Sequence, residues 1–400
     1  MSLWRRQSGL WTMVVQGIEV LLQTTIALLS IRLLSTEAWA TIAFALHATG
    51  TLAVLLFFGS SEIAVLHLAA QKTTTAAVLH SLKRQLRRGS GWVLGLSALT
   101  ALTVVDGWQG RCAILLLCCT LVANGVSSLW HMPLLAHEKA GVGVVSLTTV
   151  RLAQCVGVGV VASLPAAGHV VGLGIVHLVG AAALAVKRRR LARRFAWSDQ
   201  GSDVPPDLSR GRSLGISSIF GQMSNRSDGW VLQALASPQD VGGYFAMARV
   251  FQGLNAVSTA LALAVFPKLA VQGRKAERLT LFSVLLFGVA ALGARSSAAH
   301  WAVGLFGTAY ADFVSTVEWL LLAGACQAVA AVGAKMMVVW RQERRWLSLQ
   351  TLSMVANVVG NLALVPGHGA EGAAMATALS QALLAVVFLP TWLVGKGMST

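Results

Sequence analysis

The 400-residue sequence predicts an all-α polytopic membrane protein with about twelve transmembrane helices, in two six-helix bundles related by a pseudo-two-fold axis along the membrane normal. Three observations predict it. Hydrophobic residues make up 56% of the chain and charged ones only 12%, against roughly a quarter charged in soluble domains. Apolar stretches of about 20 residues, the length a helix needs to cross the hydrocarbon core, recur from Leu10 to Val394 with only short polar breaks. Lysines and arginines gather in alternate breaks, as the positive-inside rule requires.

In chain order the spans fall at 10–33, 39–59, 90–106, 113–135, 141–163 and 167–186, then at 213–236, 241–264, 278–295, 314–338, 346–365 and 369–394. The first follows Arg5 and Arg6 as a secretory signal does, but it runs on too long and lacks a small-residue cleavage site, which favours a retained helix. The third is interrupted by Thr100 and Thr103, and the seventh by Asn225, Arg226 and Asp228. Cys112, Cys118, Cys119, Cys155 and Cys326 all fall inside apolar runs, without disulfide-framework or metal-ligand spacing, and read as small core residues.

With the N-terminus inside, the cytoplasmic segments hold 24 of the 31 basic residues, among them Lys83, Arg84, Arg87 and Arg88 before the third span. The outer segments hold only Arg32, Arg111 and Arg295, while Arg151, Arg226, Arg249 and Lys335 fall within spans. Both termini are then cytoplasmic. The net charge of +16 is accordingly a topology signal, and no nucleic-acid partner is expected.

The longest break, 187–212, carries the run Lys187-Arg-Arg-Arg-Leu-Ala-Arg-Arg194 and then Ser202-Asp-Val-Pro-Pro206, a linker composition. It divides the chain into an N-terminal bundle, 1–186, and a C-terminal bundle, 213–400. Weak internal similarity supports the division. Ser35-Thr-Glu-Ala-Trp39 matches Ser237-Pro-Gln-Asp-Val241 at an offset of 202, which sets His47 opposite Arg249. Leu164-Pro-Ala-Ala-Gly168 likewise resembles Val365-Pro-Gly-His-Gly369. With six helices between the members of each pair, the two copies share one orientation.

Ionisable groups in the middle of a span are expensive, at about 2.5 to 3.5 kcal/mol on insertion scales, and mark cavities or partners. Arg226 and Asp228 of the seventh span lie roughly 15 Å and 12 Å below its outer end, and Arg249 and His47 roughly 12 Å below theirs. Being two residues apart, Arg226 and Asp228 do not share a helix face, so an interhelical pair of Asp228 with Arg249 is expected, leaving Arg226 for a ligand. Guanidinium groups in a wet cavity suit phosphate. Glu19, flanked by Gln16 and Gln23, forms a polar stripe on the first span and is a candidate for coupling or charge pairing; Arg151 is a further cavity candidate. Lys335 and Glu318 lie near span ends, where they reach the interface.

No catalytic constellation, P-loop or metal-ligand motif is present, so neither enzyme activity, cofactor nor metal is expected. Three segments carry a family resemblance: Asn225-Arg-Ser-Asp-Gly-Trp-Val-Leu232; Asp240-Val-Gly-Gly-Tyr-Phe-Ala-Met-Ala-Arg249 with Phe266-Pro-Lys-Leu269; and Asn357-Val-Val-Gly-Asn361 through Pro366 to Thr377. In these segments, and in their order and spacing, the sequence resembles the polysaccharide transporters of the multidrug/oligosaccharidyl-lipid/polysaccharide flippase superfamily, which include the O-antigen flippases. The specific motifs sit in the second half; the first half resembles the family by pattern.

The resemblance implies a central cavity lined by spans 1, 2, 7 and 8, where Glu19, His47, Arg226, Asp228 and Arg249 fall. It also implies an undecaprenyl-diphosphate-linked oligosaccharide as substrate and a bacterial inner membrane as location. Polysaccharide polymerase and glycosyltransferases are the expected protein partners. Few ionisable groups besides His47 fall in the N-terminal half of such a cavity, which leaves the coupling ion open. Two other readings compete: a multidrug cation antiporter on the same architecture, which would favour acidic cavity residues, and a non-transporting scaffold that recruits glycan-assembly enzymes through its basic loop.

Overall fold

The computed structural model describes residues 24–32, 34–58, 74–105, 107–136, 140–165, 168–194, 211–272, 288–339 and 342–393, with Leu22, Ser60, Ala64, Leu68, Asp203 and Leu285 between them. Among the described residues every regular element is helical. Five helical stretches among the described residues are long and apolar enough to cross a membrane: Thr36–Leu56, Trp108–Pro133, His169–Ala192, Thr308–Ala334 and Arg344–Phe388. The chain divides into two compact units, Met1–Ile219 and Phe220–Thr400.

The N-terminal unit contains α1 (Thr36–Leu52), α2 (Thr75–Thr103), α3 (Trp108–Ala136), α4 (Ala140–Ala162) and α5 (His169–Ala192), and the helix α6 (Gly211–Ser224) begins within it. Ser35 caps α1, its hydroxyl accepting from Ala38 N at 3.3 Å. Buried Trp39, Ile42 and Phe44 fix α1 in the interior. The helix tightens into a 3-10 turn at Ala53–Leu56, and there α2 crosses it backbone against backbone. Only glycine fits at that crossing, since a Cβ on Gly89 would lie 2.3 Å from the Leu55 carbonyl oxygen. α3 packs on α1, α2 and α5, and α4 on α5.

The third predicted span, 90–106, is the C-terminal part of a longer helix, Thr75–Thr103. The stretch read as a charged break is helical from Thr75, whose neighbour Thr74 caps it by accepting from Ala77 N at 3.3 Å and is itself anchored to Asp203 Oδ1 at 2.9 Å. Val78, Leu79, Leu82 and Leu86 fall on one buried face, with Lys83, Arg84, Arg87 and Arg88 on the other. Thr100 and Thr103 do not break it, because their hydroxyls donate to the Leu96 and Leu99 carbonyls of their own helix, each at 2.9 Å. Of the cysteines, Cys118 is buried as expected, but Cys119 is exposed on the outer face of α3.

The C-terminal unit contains α7 (Ser227–Leu235), α8 (Pro238–Gln272), α9 (Ala298–Phe306), α10 (Val314–Val339) and α11 (Glu343–Leu393). α10 packs on α8 and α11, and α7 on α11. At about 1.5 Å per residue the 51 residues of α11 would span about two and a half times the thickness of a hydrocarbon core. It is two helices folded at Gly369, where φ is 50° and ψ −128°. The fold falls at the boundary predicted between the spans 346–365 and 369–394. α9 lies where the sequence reading placed an outer segment.

The distribution of polarity is the reverse of a soluble protein's. Val156, Val179, Val359, Leu379 and Val386 are exposed, whereas Ser353, Asn357, Asn361 and Ser380 are completely buried. A hydrocarbon solvent selects this arrangement.

The repeated segments have matching local geometry. Ser237 Oγ accepts from Asp240 N at 3.1 Å at the start of α8, three residues on, as Ser35 accepts from Ala38 at the start of α1. Ser237 also donates to Asp240 Oδ2 at 2.6 Å, giving a reciprocal cap.

Candidate functional site

The seventh predicted span is not one helix. α6 stops at Ser224 and α7 starts at Ser227, with Arg226 at φ −140° and ψ −2° between them. Backbone bonds from Asn225 N to Gly221 O, at 3.1 Å, and from Arg226 N to Met223 O, at 3.3 Å, finish the first helix. The polar side chains at this break, Ser224, Asn225 and Ser227, need partners of their own where they are taken out of water.

A buried ladder on α11 supplies them. Ser224 and Ser353 hydroxyls meet at 3.0 Å, the Ser227 hydroxyl donates to Asn357 Oδ1, and Gln381 Nε2 donates to Asn225 Oδ1 at 3.1 Å. The ladder is braced from within: Asn357 Nδ2 donates to Ser380 Oγ at 3.1 Å, and Asn361 Nδ2 to Asn357 Oδ1 at 2.9 Å. Asn357 and Asn361 therefore have a positional role that their appearance in a motif did not disclose.

Three charged groups gather at the break. Arg226 Nε donates to Gln222 Oε1 at 2.8 Å, one turn back on α6. Asp228, fully inside, accepts from Gly229 N at 2.7 Å and from the Tyr244 hydroxyl of α8, and the Thr377 hydroxyl lies against the same pair. Arg249 Nη1 donates to Gln252 Oε1 at 2.8 Å. Further along α8, Asn255 accepts from Gln327 Nε2 of α10 at 3.4 Å, so a polar strip winds down this helix.

Arg226 is the charge that acts on Asp228, and it also faces the like charge of Arg249. The expectation that Arg226 and Asp228 point apart assumed a continuous helix. Because the helix breaks between α6 and α7, that spacing rule does not apply. Asp228 offsets part of the positive charge, and two half-buried guanidinium groups remain beside one carboxylate. The N-terminus of α7 adds its backbone dipole to the same region.

The remaining candidates lie in the N-terminal unit or outside the described residues. His47 is buried on α1, 7% exposed. Arg151 on α4 donates to Gln154 Oε1 at 2.8 Å; the Gln154 amide reaches the Val176 carbonyl of α5 at 3.5 Å and fills the notch left by Gly180. Glu19, with Gln16 and Gln23, lies outside the described residues. Tyr244, the direct partner of Asp228, was missed by the sequence reading.

The three motif segments converge in space. Asn225 and Ser227 reach α11, Tyr244 and Thr377 meet at Asp228, and Asp240 abuts Gly369, where an added Cβ would lie 2.7 Å from its Oδ1.

Comparison with known proteins agrees with this picture. A family described as "Polysaccharide biosynthesis protein" matches residues 6–271, which takes in the first half of the chain and the first two motif segments. No curated protein sequence matches. Among solved structures, the lipid II flippase MurJ in an inward closed conformation is similar with a TM-score of 0.75 at 10% identity, covering 96% of this chain and 87% of that one. A MOP-superfamily transporter from Pyrococcus furiosus is similar at TM-score 0.68 and 12% identity, over 97% of this chain and 95% of that one. An inward-facing multidrug-resistance MATE transporter gives 0.65 at 14% identity, over 96% and 97%. At these identities the likeness establishes the fold, that of multi-pass membrane transporters.

Proposed function

Because the chain belongs to the polysaccharide biosynthesis protein family, we propose that it is a flippase that carries an undecaprenyl-diphosphate-linked oligosaccharide, an O-antigen or exopolysaccharide repeat unit, across the bacterial inner membrane. The observation that carries the reading is the pair of half-buried arginines, Arg226 and Arg249, at the helix break between α6 and α7. A diphosphate loses much hydration on entering a membrane cavity, and charge-assisted, bidentate hydrogen bonds from guanidinium groups offset that loss.

In this reading twelve spans form two six-helix bundles, with both termini cytoplasmic. The headgroup enters from the cytoplasmic side while the polyprenyl tail stays in the bilayer, and rocking of the bundles releases it outside. Arg226 and Arg249 hold the diphosphate, and Arg151 and His47 contribute from the N-terminal half. Asp228, oriented by Tyr244, sets how much of the arginines' charge is available to the ligand. Glu19 carries a coupling proton or offsets a basic neighbour. Polymerase and glycosyltransferases act on either side of the transport step.

The competing reading, a cation antiporter, is favoured by one observation, the buried Asp228 carboxylate, and opposed by the two guanidinium groups around it. Export separates the readings. A strain carrying Arg226→Ala at matched expression should lose surface glycan and accumulate complete lipid-linked units in the inner membrane. Normal surface glycan would overturn the assignment, and restored resistance to cationic drugs by the wild type alone would install the antiporter.

A further inference from the structure

A second basic cluster, in the N-terminal unit, plays no part in the transport reading. Lys83 and Arg87 stand one turn apart on the exposed side of α2, and Arg189 and Arg193 one turn apart at the end of α5. Between them stands Trp130 of α3. Lys83 Nζ lies 5.4 Å from the centre of the indole, and the Arg189 guanidinium 5.9 Å from it, so one ring receives a cation from each neighbouring helix. The four cations and Trp130 border a cavity of about 460 Å³. Its wall below them is apolar, formed by Leu86, Val122, Val126 and Leu129.

Two features select the ligand. Four cations without a carboxylate among the lining residues attract an anion, and arginine pairs suit phosphate oxygens. The apolar wall then separates a lipid from a free anion. Val126 and Val122 precede Trp130 by one and two turns on α3, toward the middle of the span, so the strip continues about 12 Å below the cations. A soluble phosphate gains nothing from that strip, whereas an acyl chain is matched to it. The charge distribution puts all three helix ends on the cytoplasmic side, where the leaflet is anionic and aromatic rings mark the headgroup level.

We propose that this pocket binds an anionic phospholipid of the cytoplasmic leaflet. Its phosphate is held by Lys83, Arg87, Arg189 and Arg193 over Trp130, and one acyl chain lies along Val126 and Val122. The lipid is a bound companion of the N-terminal unit, distinct from the cargo assigned to Arg226 and Arg249.

The test uses the full chain in phosphatidylcholine nanodiscs that contain, at equal mole fraction, either phosphatidylglycerol or phosphatidylcholine brominated on the acyl chains. Bromine quenches nearby indoles, and subtracting the signal of Trp130→Phe isolates Trp130 from the other tryptophans. The expected result is quenching of the Trp130 component several-fold stronger by brominated phosphatidylglycerol than by brominated phosphatidylcholine. A double variant, Lys83→Gln with Arg189→Gln, should bring the two lipids level. Should that variant fail to purify as a single species, Arg87→Gln, at an exposed position, should at least halve the preference. Equal quenching by both lipids in the wild type, or a preference untouched by the substitutions, overturns the proposal. Abolition of the preference by excess inorganic phosphate also overturns it, assigning the pocket to a soluble anion.

Discussion

Among the described residues of the C-terminal half, the helix interruptions at Asn225–Arg226 and at Gly369 are built from different materials. At Asn225–Arg226 the gap between α6 and α7 contains no glycine or proline; it is bridged by the side chains of Ser353, Asn357 and Gln381, all at most 1% exposed. At Gly369 the chain turns through a positive φ that side chains disfavour, and Gly367 and His368 beside it are exposed. The first gap falls within the predicted seventh span, and the side chains of Ser224, Asn225 and Ser227 find their polar partners in the interior of the C-terminal unit. The second lies where solvent does that work, and only the conformation has to be supplied. The break held by that buried ladder is where Arg226 stands.

Stability measurements on the purified protein can break the contrast. Asn357→Leu should cost the most, on the order of 3 kcal/mol, because it leaves the buried Ser227 hydroxyl without its acceptor and takes one hydrogen bond each from Ser380 and Asn361. An unchanged thermal midpoint would show that the ladder does not hold the break. Gly369→Ala should cost about 2 kcal/mol from its backbone conformation and its approach to Asp240. Adding Asp240→Ala should recover part of this, and strictly additive midpoints would remove the contact from the account. Arg226→Gln should abolish glycan export while costing less than about 1 kcal/mol, since Tyr244 and Gly229 still satisfy the Asp228 carboxylate. A large loss of stability with export intact would reverse that assignment. Smallest of all, Glu318→Gln breaks the half-exposed ion pair with Arg295, at 3.0 Å, and should move the midpoint by no more than about 0.5 kcal/mol.

Much of the helix layout was legible because the bilayer imposes a length. The stretches 113–135 and 141–163 coincide within a few residues with α3 and α4. The start of α2 was misread because four basic residues in six positions look like a solvated break, although Val78, Leu79, Leu82 and Leu86 already traced one helical face. The sequence marks the gap before α7 as a polar interruption, but nothing local forces a break there. Asn, Arg and Ser are all tolerated inside helices, and the partner that accepts from Ser227 lies 130 residues away. Tyr244 escaped for a related reason. Periodicity tells which face of a helix is apolar, and a tyrosine on such a face carries no sign that its hydroxyl will find a carboxylate on another helix.

The close approach at Gly89 has a mechanical consequence. α2 is a continuous rod of 29 residues, about 43 Å long, and Gly89 lies almost at its midpoint. Where two backbones touch without side chains between them, they form a fulcrum. A tilt of about 10° about that point would swing each end of the rod by roughly 4 Å, in opposite directions, so movement at the Thr103 end would reach the Lys83 and Arg87 end with reversed sign.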